Sequence, residues 1–175
     1  MSDRPVTLIA PAIGALIAGT LKRLRRPSDG PLYPIAPGDR LWIREQFYLP
    51  RTFDHVAPTR AAELSATPIF AHDRDLPEWA SGGLGPRRFA RSLPKIWHRH
   101  HLIVTAVVTE RLQAITDAEI EAEGHASREQ FAAAWDAGLT LSGGPNRRWA
   151  ANPHVMVIDF QHVAGPLPLE ERSYA

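Results

Sequence analysis

The chain has 175 residues, of which 44% are hydrophobic and 22% charged, and its formal net charge is +1. That is enough chain for one ordinary soluble domain with a real core, and too even a charge balance to argue for nucleic acid by itself. Because cysteine is absent, disulfides, thiolate catalysis and the usual structural zinc sites are excluded, and a reducing, cytoplasmic setting is expected.

The apolar stretch from Val6 to Ala18 is too short to cross a bilayer and contains Pro11 and Gly14, so no membrane segment is expected. Ala10 to Gly19 predicts a helix, with Pro11 tolerated in its first turn and Gly19 placed to end it. A basic run follows, Lys22, Arg23, Arg25 and Arg26, and then a loop through Pro27, Gly30, Pro31, Pro34 and Pro37. Pro37-Gly38-Asp39 reads as the turn into a first strand, Arg40 to Phe47. Alternation there sets Leu41 and Ile43 on one face and Arg40, Trp42 and Arg44 on the other. A flat indole between guanidiniums is equipped to stack a base and hold phosphates, or else to cover a barrel end beside solvated arginines.

Thr67 to Ala71 predicts a short extended segment, and Asp73 to Pro94, with no sustained period, a long surface loop. Next come Lys95, Trp97, His98, Arg99, His100 and His101. On a strand His98 and His100 would share a face, a spacing that metals accept, but no third ligand has a signature. No metal is therefore assigned; the histidines are taken as RNA contacts or as acid-base groups for cleaving it, with Lys95, Trp97, Arg99 and His100 as RNA contacts.

His100 to Arg111 is apolar on both faces and predicts a central strand. Thr116 or Asp117 is placed to cap a helix running through Ala122, and Ser127 to cap a second, Arg128 to Ala137, with Phe131, Ala134 and Trp135 on its buried side. Gly143, Gly144 and Pro145 read as a turn, Trp149 as a base platform or a barrel seal beside Arg147 and Arg148, and Asn152-Pro153 as the turn into a last strand, His154 to Val163. The remaining residues, 164–175, are expected to form a loose tail. Cations thus gather in separate groups while acids collect between Glu110 and Glu129. Segregated signs can present a basic cleft to a phosphate backbone even at near-neutral total charge. The arrangement predicts an α+β domain on a small mixed barrel with flanking helices.

Several strings, in order, resemble the ASCH family, whose members have a PUA-like β-barrel and are thought to bind RNA. They are LIAGTLKRLRR at Leu16 to Arg26, PGDRLWIRE at Pro37 to Glu45, VTAVVTERLQAIT at Val104 to Thr116, AEIEAEG at Ala118 to Gly124, FAAAWD at Phe131 to Asp136 and ANPHVMVIDFQHV at Ala151 to Val163. In particular the chain is similar to the longer members often encoded by phages and prophages, which carry an inserted middle loop, here residues 73–96 of a single domain spanning 1–163. The resemblance implies a cleft lined by Lys22, Arg23, Arg25 and Arg26 and a glutamate, Glu123.

In the family that glutamate works with a lysine and a threonine to hydrolyse an acylated cytidine amine. Of the family's Gly-x-Lys-Thr-x-Thr-x-Arg pattern, Gly19 and Arg26 match, whereas Leu21 and Leu24 occupy the lysine and second threonine positions. Leucine supplies neither nucleophile nor base. The expected function is therefore binding of RNA, single-stranded rather than double, through Lys22, Arg23, Arg25, Arg26, Trp42, Arg44, Lys95, Trp97, Arg99, His100, Arg147 and Arg148. The alternatives are a hydrolase, either a ribonuclease or a nucleoside amidohydrolase, using Glu123 with Lys22, and a phage-borne protein-interaction module. No cofactor is expected beyond a divalent metal ion in the case of a nuclease; Glu45 and Glu123 could hold it or act as acid and base, or else serve as ion-pair partners of the arginines, which is the reading preferred for Glu45.

Overall fold

The computed structural model describes residues 1–73, 77, 80–139 and 144–167. In chain order the elements are β1 (Asp3–Thr7), α1 (Ala12–Ile17), β2 (Arg23–Pro27), β3 (Arg40–Arg44), β4 (Phe47–Tyr48), α2 (Pro58–Glu63), β5 (Ile69–Phe70), α3 (Ala80–Gly83), β6 (His100–Arg111), α4 (Asp117–Ala122), α5 (Arg128–Gly138) and β7 (His154–Ala164). The fold is mixed α+β. Five strands form a mixed sheet in the order β1-β3-β6-β7-β2, with β1 parallel to β3 and β2 antiparallel to β7, while β4 and β5 make a separate antiparallel pair. Among the described residues no helix is long and apolar enough to cross a membrane.

The chain packs as two compact units. The first holds residues 1–2, 10–39 and 103–162, the second residues 3–9, 40–102 and the segment from Val163. In the first unit, local chemistry sets the helix starts. Thr116 caps α4 in a reciprocal box: its hydroxyl accepts from the Glu119 N–H while the Glu119 carboxylate accepts from the Thr116 N–H, at 3.3 and 2.8 Å. Ser127 caps α5 by accepting from the Gln130 N–H. Asn152 takes the left-handed conformation that turns the chain into β7. A core of Leu112, Ile115, Ile120, Phe131, Val155 and Val157 follows, with Trp135 and Trp149 packed against it. Ala134, expected on the buried side of α5, is exposed: one turn of this short helix buries Phe131, and Ala134 faces water.

The second unit has its own core of Phe47, Leu49, Ala61, Ala66, Phe70 and Leu93, against which Phe53, Val56 and Trp97 pack. This core reaches into the stretch expected to be a featureless surface loop. Ala80, Ala90 and Leu93 are buried, Gly85 N–H donates to the Leu49 carbonyl and Arg88 N–H to the Phe47 carbonyl. Backbone pairing to β4 orders a segment that periodicity cannot recognise, because its elements are single turns. Residues 74–76, 78 and 79 of that loop, Gly143 of the expected turn, and the tail beyond Leu167 lie outside the described residues.

Candidate functional site

The basic run is a strand, not a loop. β2 sets Arg23 opposite Asp159 and Arg25 opposite Val157 on β7, and this pairing decides what the cations meet. Arg25 is only 2% exposed. Its Nη1 donates to Glu123 Oε1 at 2.7 Å, and its Nη2 lies 2.9 Å from Glu119 Oε1. Neither Nη2 nor Nε of Arg25 reaches an acceptor in hydrogen-bonding geometry. Arg23 donates to Asp159 at 2.6 Å and to Glu119 at 3.0 Å, and Arg26 Nη1 donates to the Arg25 carbonyl at 2.7 Å. Of the four, Lys22 stands exposed. The reading of the basic run as a loop is thus corrected: Arg23, Arg25 and Arg26 lie on a strand, and Arg23 and Arg25 meet carboxylates of the same unit, a use that clustered cations take whenever acids can be brought within reach.

The two carboxylates that meet Arg25 come from α4 and its C-terminal cap, where Glu119 and Glu123, four residues apart, share one face. Burial would push the Glu119 carboxyl up, but the Thr116 N–H, Arg25 and the Thr116 hydroxyl together hold it down at about 2. At Glu123 burial wins: the carboxyl is pushed above its ordinary value in spite of Arg25 and Arg26. Burial likewise pulls the Arg26 guanidinium down against the attraction of Glu123. Beyond α4 the chain turns at Gly124, whose φ is +89° and where a Cβ would lie 3.0 Å from Pro11 Cβ, so the turn presses on the entry to α1. The result is a carboxyl with a raised pKa, anchored by a buried guanidinium, which is the setting of a group that gives or takes a proton.

A cleft of about 450 Å³ opens where β2 ends. Ser28, Asp29, Trp135, Asn146, Arg147 and His154 line it together with Pro27 and Pro153. The Trp135 indole N–H donates to the Arg147 carbonyl at 2.9 Å, and the Arg147 guanidinium grips Asp29, its Nε at 3.0 Å. Arg148 is exposed beside it. Trp149 is half-buried, edge-on to Phe131 at 5.8 Å between ring centroids.

In the second unit the expected base-stacking strand is differently placed. Trp42 is 9% exposed rather than displayed: the His98 ring packs on it at 5.8 Å, and the Arg44 guanidinium stands 5.7 Å from its ring centre. Both faces of β3 are covered, so alternation separated two packed faces, not a core from solvent. Arg44 donates to the Arg91 carbonyl, and burial pulls its guanidinium down. Arg99 is bidentate on Glu45 at 3.0 and 2.9 Å, reaches Asp73 at 2.6 Å and lies 4.1 Å over the Phe70 ring. Glu45 is accordingly buried as an ion-pair partner. Lys95 pairs with Asp3 at 2.9 Å, and Trp97 is half-buried, edge-on to Phe47. His100 begins β6, but His98 lies outside that strand at the end of a 3-10 turn, so the two do not share a strand face. Among the described residues no group of three or more histidine or acidic side chains is placed to hold a metal ion.

Sequence reasoning missed Glu119, Asp159 and the cleft residues Ser28, Asp29 and His154. For Glu119 a signal existed, since its spacing to Glu123 on a capped helix puts two acids on one face. Asp159 and the cleft depend on long-range pairing and left no local trace. No family model, curated protein or solved structure matches the chain.

Proposed function

We propose that the chain is an RNA-binding protein of the ASCH kind, built on a PUA-like barrel and working in the cytoplasm, which takes single-stranded RNA in the cleft of its first unit. One observation carries this reading: the cleft wall joins an indole, Trp135, to a guanidinium, Arg147, directly beyond the basic strand. Stacking a base on an aromatic ring contributes about 1–3 kcal/mol and tolerates any base. The Arg147–Asp29 pair is solvent-exposed, with side chains 36% and 61% open. Such pairs contribute about 0–1 kcal/mol, so a phosphate can replace Asp29 on Arg147. Lys22 and Arg148 add exposed charge that draws the backbone in.

The test is incubation with labelled single-stranded RNA, with and without magnesium, reading retention and cleavage together. Retention should weaken steeply with salt, and Arg147→Glu should lower affinity by about tenfold or more and flatten the salt slope by about one charge. Absence of retention at low salt in the unsubstituted protein would sink the reading.

A hydrolase acting on RNA or on a modified nucleoside is the second reading, favoured by Glu123, whose raised pKa suits a general acid or base. It requires turnover that disappears in Glu123→Gln. Turnover that persists in that variant removes Glu123 from the chemistry.

A further inference from the structure

We propose that His98 is a pH-operated latch on the segment that follows β7. Within the second unit three hydrogen bonds strap that segment to residues 98–101. Gly165 N–H donates to the Arg99 carbonyl at 2.8 Å, His101 Nδ1 meets the Gly165 carbonyl at 3.0 Å, and Leu167 N–H donates to His98 Nε2 at 2.7 Å. Leu167, His98 and His101 are 5%, 6% and 5% exposed, so water does not compete for these bonds.

The proton inventory of His98 follows from its partners. A backbone N–H can only donate, so Nε2 must accept. The other nitrogen, Nδ1, faces the Lys95 carbonyl and must donate. The ring is therefore neutral with its proton on Nδ1. Adding a proton at Nε2 sets two N–H groups head to head in a buried place, and the Leu167 bond cannot persist. His101 behaves differently: its Nδ1 faces a carbonyl and donates in either charge state, so its protonation leaves its own strap intact. The switch is His98 alone.

The surroundings favour the neutral ring. Burial pulls the His98 imidazole below 6.5, with Lys95 and His101 opposing charge and the Lys95 carbonyl and Asp3 favouring it. Asp3 is paired with Arg40 and Lys95. Burial raises the Asp3 carboxyl but those partners hold it below its ordinary value, so it stays ionised while His98 titrates. From β3 the ring meets Trp42, with Arg44 beyond it, and Val163 to Leu167 carries no charged side chain. A depressed pKa in the latched state means that latching is complete above the free histidine value, about 6.5, and is lost as pH falls below it, by up to about tenfold per pH unit.

Amide hydrogen exchange by NMR on the full chain, corrected for intrinsic rates, reads this directly between about pH 7.5 and about pH 5. Protection at Leu167 should fall with the His98 titration while amides of the β2–β7 ladder keep theirs, which separates unlatching from global unfolding. His98→Gln keeps a donor and an acceptor but does not titrate, so protection there should be flat. The same acid-dependent loss in His98→Gln, or pH-independent protection in the unsubstituted protein, overturns the latch. Should the variant fail to fold, the ring 15N shifts of the unsubstituted protein decide: an unprotonated Nε2 at neutral pH is required, and a protonated Nε2 overturns it.

Discussion

Each unit contains a hub in which an arginine bridges two carboxylates, Arg25 in the first and Arg99 in the second, and the two hubs differ in how completely their hydrogen bonds close. In the second unit both oxygens of Glu45 meet separate nitrogens of Arg99, a third nitrogen takes Asp73, and the guanidinium face lies on Phe70. A bidentate pair of that geometry over an aromatic ring satisfies its partners and fixes orientation. Burial would pull Arg99 down, but Glu45 and Asp73 raise it above its ordinary value. In the first unit Arg25 is more buried, yet it makes one well-directed bond, to Glu123, and its Nε and Nη2 are left without acceptors in geometry. Glu123 in turn is pushed up by burial. A closed hub holds the fold, whereas the open one leaves a carboxyl that burial pushes toward its neutral form. The hydrolase reading rests on the open hub for that reason.

The difference can be broken first at the closed hub. Glu45→Ala leaves a half-buried Arg99 facing Asp73 alone, and removing one partner of a buried pair costs about 3–5 kcal/mol. The urea midpoint should drop accordingly, with no change in RNA retention. A loss below about 1 kcal/mol would mean that the closed hub is ornamental to stability.

Glu119→Gln sharpens the contrast within the open hub. Glu119 is held at about 2 against an ordinary 4.5, so its contribution is complete above the ordinary value and disappears as pH falls toward 2. That span sets a ceiling of about 3 kcal/mol, and solvent screening at a partly exposed side chain brings it to about 1–2 kcal/mol at neutral pH. The variant should be weaker by that order at neutral pH and should lose the steep fall in stability on acidification. Because glutamine can still complete the capping box with Thr116, helix content should not change.

Of the open hub, the sequence announces the helix and not the strand. α4, α5, β6 and β7 were legible because caps, alternation and the Asn-Pro turn are local signals: Thr116, Ser127 and Asn152 do in the structure what their types predict. β2 was not, because Arg23-Leu24-Arg25-Arg26 reads as a solvated run until Glu119 and Glu123 arrive from 96 and 98 residues away. Trp42 illustrates the same limit in reverse. Alternation placed it correctly on the face opposite Leu41 and Ile43, but whether that face meets water depends on His98, which no period in β3 announces. Likewise Lys95 reads as a free cation until Asp3, at the far end of the unit's sequence, takes it.

The smallest effect is the most telling. Glu123→Gln retains a carbonyl oxygen for Arg25 Nη1 and removes a charge that burial disfavours, so its cost at neutral pH should stay within about 1 kcal/mol. The pH profile should change more than the stability. A carboxyl whose folded pKa is raised contributes stability that is complete below its ordinary value and is lost as pH rises through the folded value; the direction at Glu123 is upward. Above the ordinary carboxyl value of 4.5, where the Glu119 contribution is already complete, Glu123 should therefore cost the unsubstituted protein a little stability as pH rises, a cost that Glu123→Gln should not show when Tm is compared between the two. If the variant is instead as crippled as Glu45→Ala, Arg25 and Glu123 form a second structural hub. A loss of turnover in Glu123→Gln would then report lost structure, and only a near-neutral Tm allows it to report chemistry.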